Sequence, residues 1–123
     1  MSTNNPKILV VEDNEIASLQ IRKIFEKQGY HVDVAMNGME AMEKLMGDSY
    51  DIMLTDLAMP VVNGQQLIEA VKRNEYDKMK IFVVTAYSGE QTVKEMFNLG
   101  VDDYITKPYN TRDLLQRVQK LLM

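Results

Sequence analysis

The sequence predicts an α/β fold: a single doubly wound domain of five β–α units around a five-stranded parallel sheet. Three observations carry that prediction. Short β-branched, apolar runs alternate strictly with segments of helical periodicity. Most of the runs are nearly continuous in apolar residues, as strands buried on both faces require. Acidic, hydroxyl or basic residues end most of them, where open parallel sheets place their ligands.

Met1–Pro6 is polar and is expected to fray. Lys7–Val11 (KILVV) reads as the first, buried strand, and Glu12–Asp13–Asn14 ends it. Asn14 or Asp13 can cap the helix that follows. Ala17, Ile21, Ile24, Phe25 and Gln28 fall on one face of that helix, and Gly29 is placed to terminate it. His31–Ala35 (HVDVA) alternates and reads as a more exposed second strand, followed by an Asn37–Gly38 turn signal. Met39–Met46 is a short helix with Ala41, Met42 and Leu45 facing inward. Asp51–Thr55 is the third strand, ending at Asp56, with Met59–Pro60 stopping its continuation. Asn63–Gly64 marks a turn before a helix over Gln65–Arg73, whose inward residues are Leu67, Ile68 and Val71. Lys80–Thr85 (KIFVVT) is the fourth strand, and a helix over about Glu90–Leu99 ends at Gly100. Asp102–Thr106 is a shorter fifth strand, followed by Lys107–Pro108. Asn110 or Thr111 caps the last helix, where Leu114, Leu115, Val118, Leu121 and Leu122 form an apolar stripe.

A domain of five such units commonly takes the flavodoxin-like strand order 2-1-3-4-5, with its switch point between strands 1 and 3. The length of 123 residues suits one domain, taken as residues 1–123. With 46% hydrophobic and 26% charged residues, a core of ordinary size forms without staples. The absence of cysteine excludes disulfides and thiolate metal sites. Fourteen basic against 18 acidic residues leave a net charge of −4, and no basic block suggests direct nucleic-acid binding. The N-terminus has no apolar signal region and no run approaches a membrane span, so the chain reads as cytoplasmic, with no membrane partner. The ten methionines are expected to fill gaps in the core.

The strand ends supply a constellation. The first gives Glu12 and Asp13, the third Asp56, the fourth Thr85 and the fifth Lys107. The second gives only Ala35 and Met36, as expected of a strand off the switch point. Asp56 is expected to be exposed and aimed into a crevice. Three carboxylates a few ångströms apart repel one another unless a cation or protons intervene. Oxygen donors without histidine or cysteine suit a hard cation, Mg²⁺ or Mn²⁺. Aspartate can then attack phosphorus to give an acyl phosphate, with Lys107 neutralising charge and Thr85 hydrogen-bonding a phosphoryl oxygen. Each piece alone has a plainer origin: an acidic pair often caps a helix, and a strand-end Thr reflects β-propensity. Together, each ending its own strand, they point to one site.

On VVEDN, TDLAMP, VVTA and YITKP, in that order and spacing, the chain resembles a response-regulator receiver domain of two-component signalling from Lys7 to Met123, and is similar to chemotaxis regulators. The resemblance implies that Asp56 is the phospho-acceptor, fed by a histidine kinase or histidine phosphotransfer protein. Asp13, Asp56 and the backbone carbonyl of Ala58 would ligate the metal, with Glu12 binding it directly or through water. Lys107 would pair with the phosphoryl group, Thr85 would swing toward it, and Tyr104 would turn inward behind Thr85 as an aromatic switch. Lys107–Pro108 is expected to be cis. Ala58 and Tyr87 occupy the positions that tune dephosphorylation. Neither carries a carboxylate or amide to orient water, so a lifetime of minutes or more is expected, on the scale of an unassisted barrier. The acidic pair is Glu-Asp where many members have Asp-Asp, which alters the water shell around the metal.

Ile16, Leu19 and Gln20 point outward near the site and, with Pro108, are the expected docking residues for the donor. His31, the only histidine, is expected at the surface and on the wrong side of the sheet to donate phosphate. The resemblance places output to an unknown downstream protein on the fourth helix, fifth strand and fifth helix, including Lys94, Phe97, Tyr104, Arg112, Gln116 and Lys120. The start MSTNN favours a stand-alone protein or an N-terminal module, and the loops EDNE and MNGMEAM also resemble receivers of hybrid kinases.

Competing classes fit less well. An aspartyl-nucleophile phosphohydrolase of the haloacid dehalogenase type needs a second Asp where Ala58 stands. A flavodoxin-like cofactor binder needs a glycine- and hydroxyl-rich phosphate loop, and EDNEIAS is acidic without glycine. A degenerate receiver that only binds proteins need not keep all five polar positions.

Overall fold

Ten elements alternate along the chain in the computed structural model, which describes residues 5–59, 63–74 and 78–123. The strands are β1 (Lys7–Val11), β2 (His31–Ala35), β3 (Ile52–Thr55), β4 (Lys80–Thr85) and β5 (Asp103–Thr106). The helices are α1 (Glu15–Glu26), α2 (Gly38–Gly47), α3 (Gly64–Arg73), α4 (Glu90–Asn98) and α5 (Thr111–Leu121). All strand pairs are parallel and the order is β2-β1-β3-β4-β5, with the switch point between β1 and β3. Pro60 of the expected strand breaker and Met1–Asn4 of the expected frayed terminus lie outside the described residues.

Two cores hold the layers together. On one face Leu9, Val11, Met53, Ile81 and Val83 pack against Ala41 and Leu45 of α2, Leu67, Ile68 and Val71 of α3 and Met96 of α4. On the other, Ile8, Val10, Ile52, Leu54, Phe82 and Val84 pack against Ile21 and Phe25 of α1 and Leu114 and Val118 of α5. The odd–even split of β1 between the two clusters is the period-2 alternation of a strand buried on both sides.

The helix starts follow the chemistry of their caps. Asn14, Asn37, Asn63 and Asn110 each accept a backbone N–H three residues on. Asn14 rather than Asp13 therefore caps α1. Asn63 and Gln66 complete a reciprocal capping box on α3. Gly29 and Gly100 take φ of +89° and +101°, turning the chain out of α1 and α4 where a side chain would strain.

Some sequence expectations shift. Gln28 is exposed rather than inward, because α1 ends at Glu26 and the 3.6-residue period stops applying. Ser18 takes a buried position instead, its hydroxyl donating to the Glu15 carbonyl at 2.9 Å. Ile24 is half-buried. Both α2 and α3 begin one residue earlier than expected, at their glycines, while β3 and β5 begin one residue later. Met53, Met79 and Met96 fill the core, but Met39, Met46 and Met123 lie at the surface.

Phe25 is fully buried, and its ring lies 5.7 Å from that of Tyr30. Truncation there removes contacts that the α1–sheet layer cannot rebuild. Phe25→Ala should therefore lower unfolding stability by about 3–5 kcal/mol in urea titration. A loss under about 1 kcal/mol would contradict this placement of the core.

Candidate functional site

The register brings the ends of β1, β2 and β3 level, while β4 and β5 run two residues further. Val11 of β1 lies opposite Ala35 on one side and Thr55 on the other, and Thr55 lies opposite Val83. The ladder continues one step past the strands through the site residues themselves. Glu12 N–H donates to the Ala35 carbonyl at 3.0 Å, Asp56 N–H to Val11 at 3.1 Å, and Lys107 N–H to Thr85 at 2.8 Å. The backbones of these functional residues are thus part of the sheet.

Asp56 is 9% exposed, not open to solvent as the sequence suggested. Four donors enclose its carboxylate. Oδ1 accepts the Leu57 N–H at 2.7 Å, the Ala58 N–H at 3.2 Å and the Thr85 hydroxyl at 2.6 Å. Oδ2 accepts from the Lys107 ammonium at 2.9 Å. The same ammonium makes a short ion pair with Glu12 Oε1, while Glu12 Oε2 accepts the Asn14 N–H at 3.1 Å. The Lys107–Pro108 bond is cis.

Burial and hydrogen bonding compete differently at each group. Burial pushes the Asp56 carboxyl up, but Thr85, Lys107 and the Ala58 N–H together hold it below its ordinary value. Burial raises Glu12 above its ordinary value, and its fewer donors do not reverse that. Burial alone would lower the Lys107 ammonium, yet its bonds to Glu12 and Asp56 win and hold it above its ordinary value. Lys107 is therefore firmly charged, and Asp56 is an ionised, desolvated nucleophile candidate.

Several expected residues join this cluster and others do not. Glu12, Asp56, Thr85 and Lys107 meet. Tyr104 lies behind them, buried, with its hydroxyl donating to the Tyr87 carbonyl at 2.6 Å, while the Tyr87 side chain is 54% exposed. Asp13 and Ala58 are exposed at the rim. Among the described residues no three His, Cys, Asp or Glu side chains gather as ready metal ligands. The expected trio of close carboxylates is thus not assembled, because Lys107 stands between Glu12 and Asp56 and Asp13 stays at the surface. The donor chemistry still fits a hard cation: every candidate ligand is oxygen, and three carboxylates against one ammonium leave the rim negative.

Beside the cluster runs a groove of about 530 Å³, whose lining includes Gln20, Ile21 and Ile24 of α1 together with Lys107, Pro108 and Tyr109. Gln20 and Pro108 share this groove with Lys107. Ile16 and Leu19, 70% and 49% exposed, stand on the open surface of α1 outside its lining. His31 is exposed at the amino end of β2, away from the site. Sequence reasoning missed the Leu57 and Ala58 N–H donors and the Tyr87 carbonyl. Backbone groups leave no mark in residue identity.

An acidic cluster at the switch point of a five-stranded parallel sheet, bridged by a lysine and flanked by a hydroxyl, is thus assembled from the ends of four strands. Residues 8–119 match the model of the response regulator receiver domain, and the chain belongs to that family. Receiver domains are the phospho-accepting switches of two-component response regulators, which take phosphoryl groups from histidine kinases. The chain is 37% identical over 120 residues to the transcriptional regulatory protein ResD of Bacillus subtilis, covering 98% of this chain and 49% of ResD. It spans about half the length of the curated regulators it matches first. Among solved structures, the Francisella response regulator 1452 receiver domain superposes with a TM-score of 0.91 at 30% identity, covering 96% of this chain and 97% of that one. The Thermotoga maritima regulator TrrA, solved in complex with Mg²⁺-BeF, gives 0.85 at 30% identity, covering 95% and 99%. Among the described residues no helix is long and apolar enough to cross a membrane.

The depressed Asp56 carboxyl has a pH consequence. Its stabilising contribution is present above the ordinary value of 3.8 and is lost as pH falls through the lower folded value. The stability difference between wild type and Asp56→Asn, followed by urea unfolding, should therefore move against the wild type below about pH 4. A difference that stays constant, or moves toward the wild type on acidification, would contradict the four-donor cage.

Proposed function

We propose that Asp56 accepts a phosphoryl group from the phosphohistidine of a histidine kinase or histidine phosphotransfer protein. One observation carries this reading: a desolvated Asp56 carboxylate shares the Lys107 ammonium with Glu12 while the Thr85 hydroxyl donates to it. An Asp56 oxygen attacks phosphorus, the nitrogen–phosphorus bond breaks, and the electron pair leaves on the donor imidazole. Lys107 neutralises the arriving phosphoryl oxygens, and the Thr85 hydroxyl turns from the carboxylate to one of them. Mg²⁺, or Mn²⁺, supplies further charge neutralisation when bound, and Glu12, Asp13, Asp56 and the Ala58 carbonyl are the groups that would hold it. Lys107 must then yield part of its hold on Glu12 and Asp56.

Phosphorylation adds roughly −2 charge beside the half-buried Lys107 ammonium and draws Thr85 away from Asp56. Tyr104, already inward on the Tyr87 carbonyl, links that event to the surface of α4, β5 and α5. Phe97, Lys94, Arg112, Gln116 and Lys120 are exposed there for a downstream protein. The switch is a population shift between two arrangements of this face. The chain turns over only its own phosphoryl group, and its site makes no direct use of nucleic acid.

Incubation with acetyl phosphate and Mg²⁺, followed by intact-mass spectrometry, tests the reading. Wild type should gain a single phosphoryl group and Asp56→Asn none. After donor removal the adduct should persist for minutes or more at neutral pH, since Ala58 and Tyr87 carry no carboxylate or amide to orient water. No adduct with any donor would favour a protein-binding module without phosphorylation, and decay within seconds would overturn the lifetime.

Donor docking falls on α1 and the loop after β5. Ile16 and Leu19 provide exposed apolar contact, and the groove at Gln20 and Pro108 leads to Lys107. Leu19→Asp should slow transfer from the cognate donor by about tenfold while leaving acetyl phosphate labelling unchanged. Equal loss with both donors would place Leu19 in the fold rather than the interface.

A further inference from the structure

The Asp56 carbonyl is gripped from two sides by groups with no part in the chemistry described above. Thr55, the last residue of β3, is buried, and its hydroxyl donates to that carbonyl at 2.9 Å. Gly64, the first residue of α3, is buried against the same atoms, and its N–H donates to the Leu57 carbonyl at 3.1 Å. A Cβ at position 64 would stand 2.1 Å from the Asp56 oxygen, 2.7 Å from Leu57 Cα and 2.9 Å from the Asp56 carbonyl carbon. All three are backbone atoms, so none can swing aside as the end of a flexible side chain could.

We propose that Thr55 and Gly64 are positioning residues for phosphoryl transfer, clamping the Asp56–Ala58 turn so that its N–H groups hold the reacting carboxylate. The proposal rests on the reading of Asp56 as acceptor. The turn they clamp is the one whose Leu57 and Ala58 N–H groups donate to Asp56 Oδ1. On its amino side, Asp56 is already fixed by its bond to the Val11 carbonyl. On its outgoing side the chain is held by burial of the Leu57 side chain in the core, and Thr55 and Gly64 add the hold on the carbonyl itself. A methyl group at position 64 forces α3 and the turn apart. Loss of the Thr55 hydroxyl leaves the carbonyl free to rotate and carries the two N–H donors with it. Either change misplaces the carboxylate relative to Thr85 and Lys107 without touching any group that meets phosphorus. Gly47, at the end of α2, is the matched control, since a Cβ there meets nothing within 4 Å.

The test follows phosphorylation by acetyl phosphate with Mg²⁺, in which the acetyl oxygen–phosphorus bond breaks, the Asp56 oxygen–phosphorus bond forms and acetate leaves. Rates are taken across donor concentrations to separate the limiting rate constant from half-saturation. Gly64→Ala should lower the limiting constant about tenfold or more, and Thr55→Val about three- to tenfold. Half-saturation should change by less than about twofold, since neither residue meets the donor. Thr55→Ser, which keeps the hydroxyl, and Gly47→Ala should both stay within about twofold of wild type. Thr55→Val is nearly isosteric, so the Thr55 pair decides the matter if Gly64→Ala does not fold. The clamp is wrong if Thr55→Val reacts like wild type, or if Thr55→Ser is as slow as Thr55→Val. If wild type itself gains no phosphoryl group, the assignment of Asp56 fails and takes the clamp with it.

Discussion

A single ammonium organises this site. Lys107 lies between Glu12 and Asp56, two carboxylates that the register of β1 and β3 forces side by side. Without it, two buried negative charges would face each other, and one would take up a proton. With it, Asp56 stays ionised inside the protein, where an oxygen nucleophile is poorly solvated and held by fixed donors. The arrangement also leaves room for exchange. Whatever positive charge enters the acidic rim competes with Lys107 for the same oxygens, and a phosphoryl group on Asp56 gives Lys107 a stronger partner.

The sheet makes such a site inexpensive to build. Parallel strands gather their carboxyl ends on one rim, and the ladders run one bond further to fix the backbone of Glu12, Asp56 and Lys107. The two cores, one under α2, α3 and α4 and the other under α1 and α5, keep those strands rigid. Glu12, Asp56 and Lys107 therefore sit at the ends of core-packed strands, while α4, β5 and α5, the face proposed to report phosphorylation, lie at one side. Tyr104 joins the two. Its ring belongs to the core and its hydroxyl reaches the loop after β4.

Most of the architecture was legible in the sequence because buried parallel strands read as short apolar runs and the helices between them carry an apolar face at helical spacing. The five-strand order was inferred from the number of units and holds. The polar strand-end residues were legible for the same reason: they interrupt apolar runs. What the sequence did not reveal lies in distances and in the backbone. Asp56 looked exposed because it is charged and follows a strand, but its cage consists of two N–H groups, a hydroxyl and a distant lysine. Asp13 was expected as a direct metal ligand beside Glu12, yet Glu12 is still held by the sheet ladder and buried, while Asp13 lies past it and is exposed. Gly64 read as part of a turn signal, and only the packing shows that its missing side chain is required. Gln28 was assigned inward by extending a helical period past the end of its helix.

On the proposed function, phosphorus is taken by the carboxylate which Lys107 and Thr85 hold, and by no other acid at the rim. Borohydride reduction of the acyl phosphate, which converts the modified aspartate to homoserine, followed by peptide sequencing, locates that carboxylate directly. Homoserine is expected at position 56, with Glu12 and Asp13 unchanged. Reduction product at Asp13, at Glu12 or spread over several acids would contradict it.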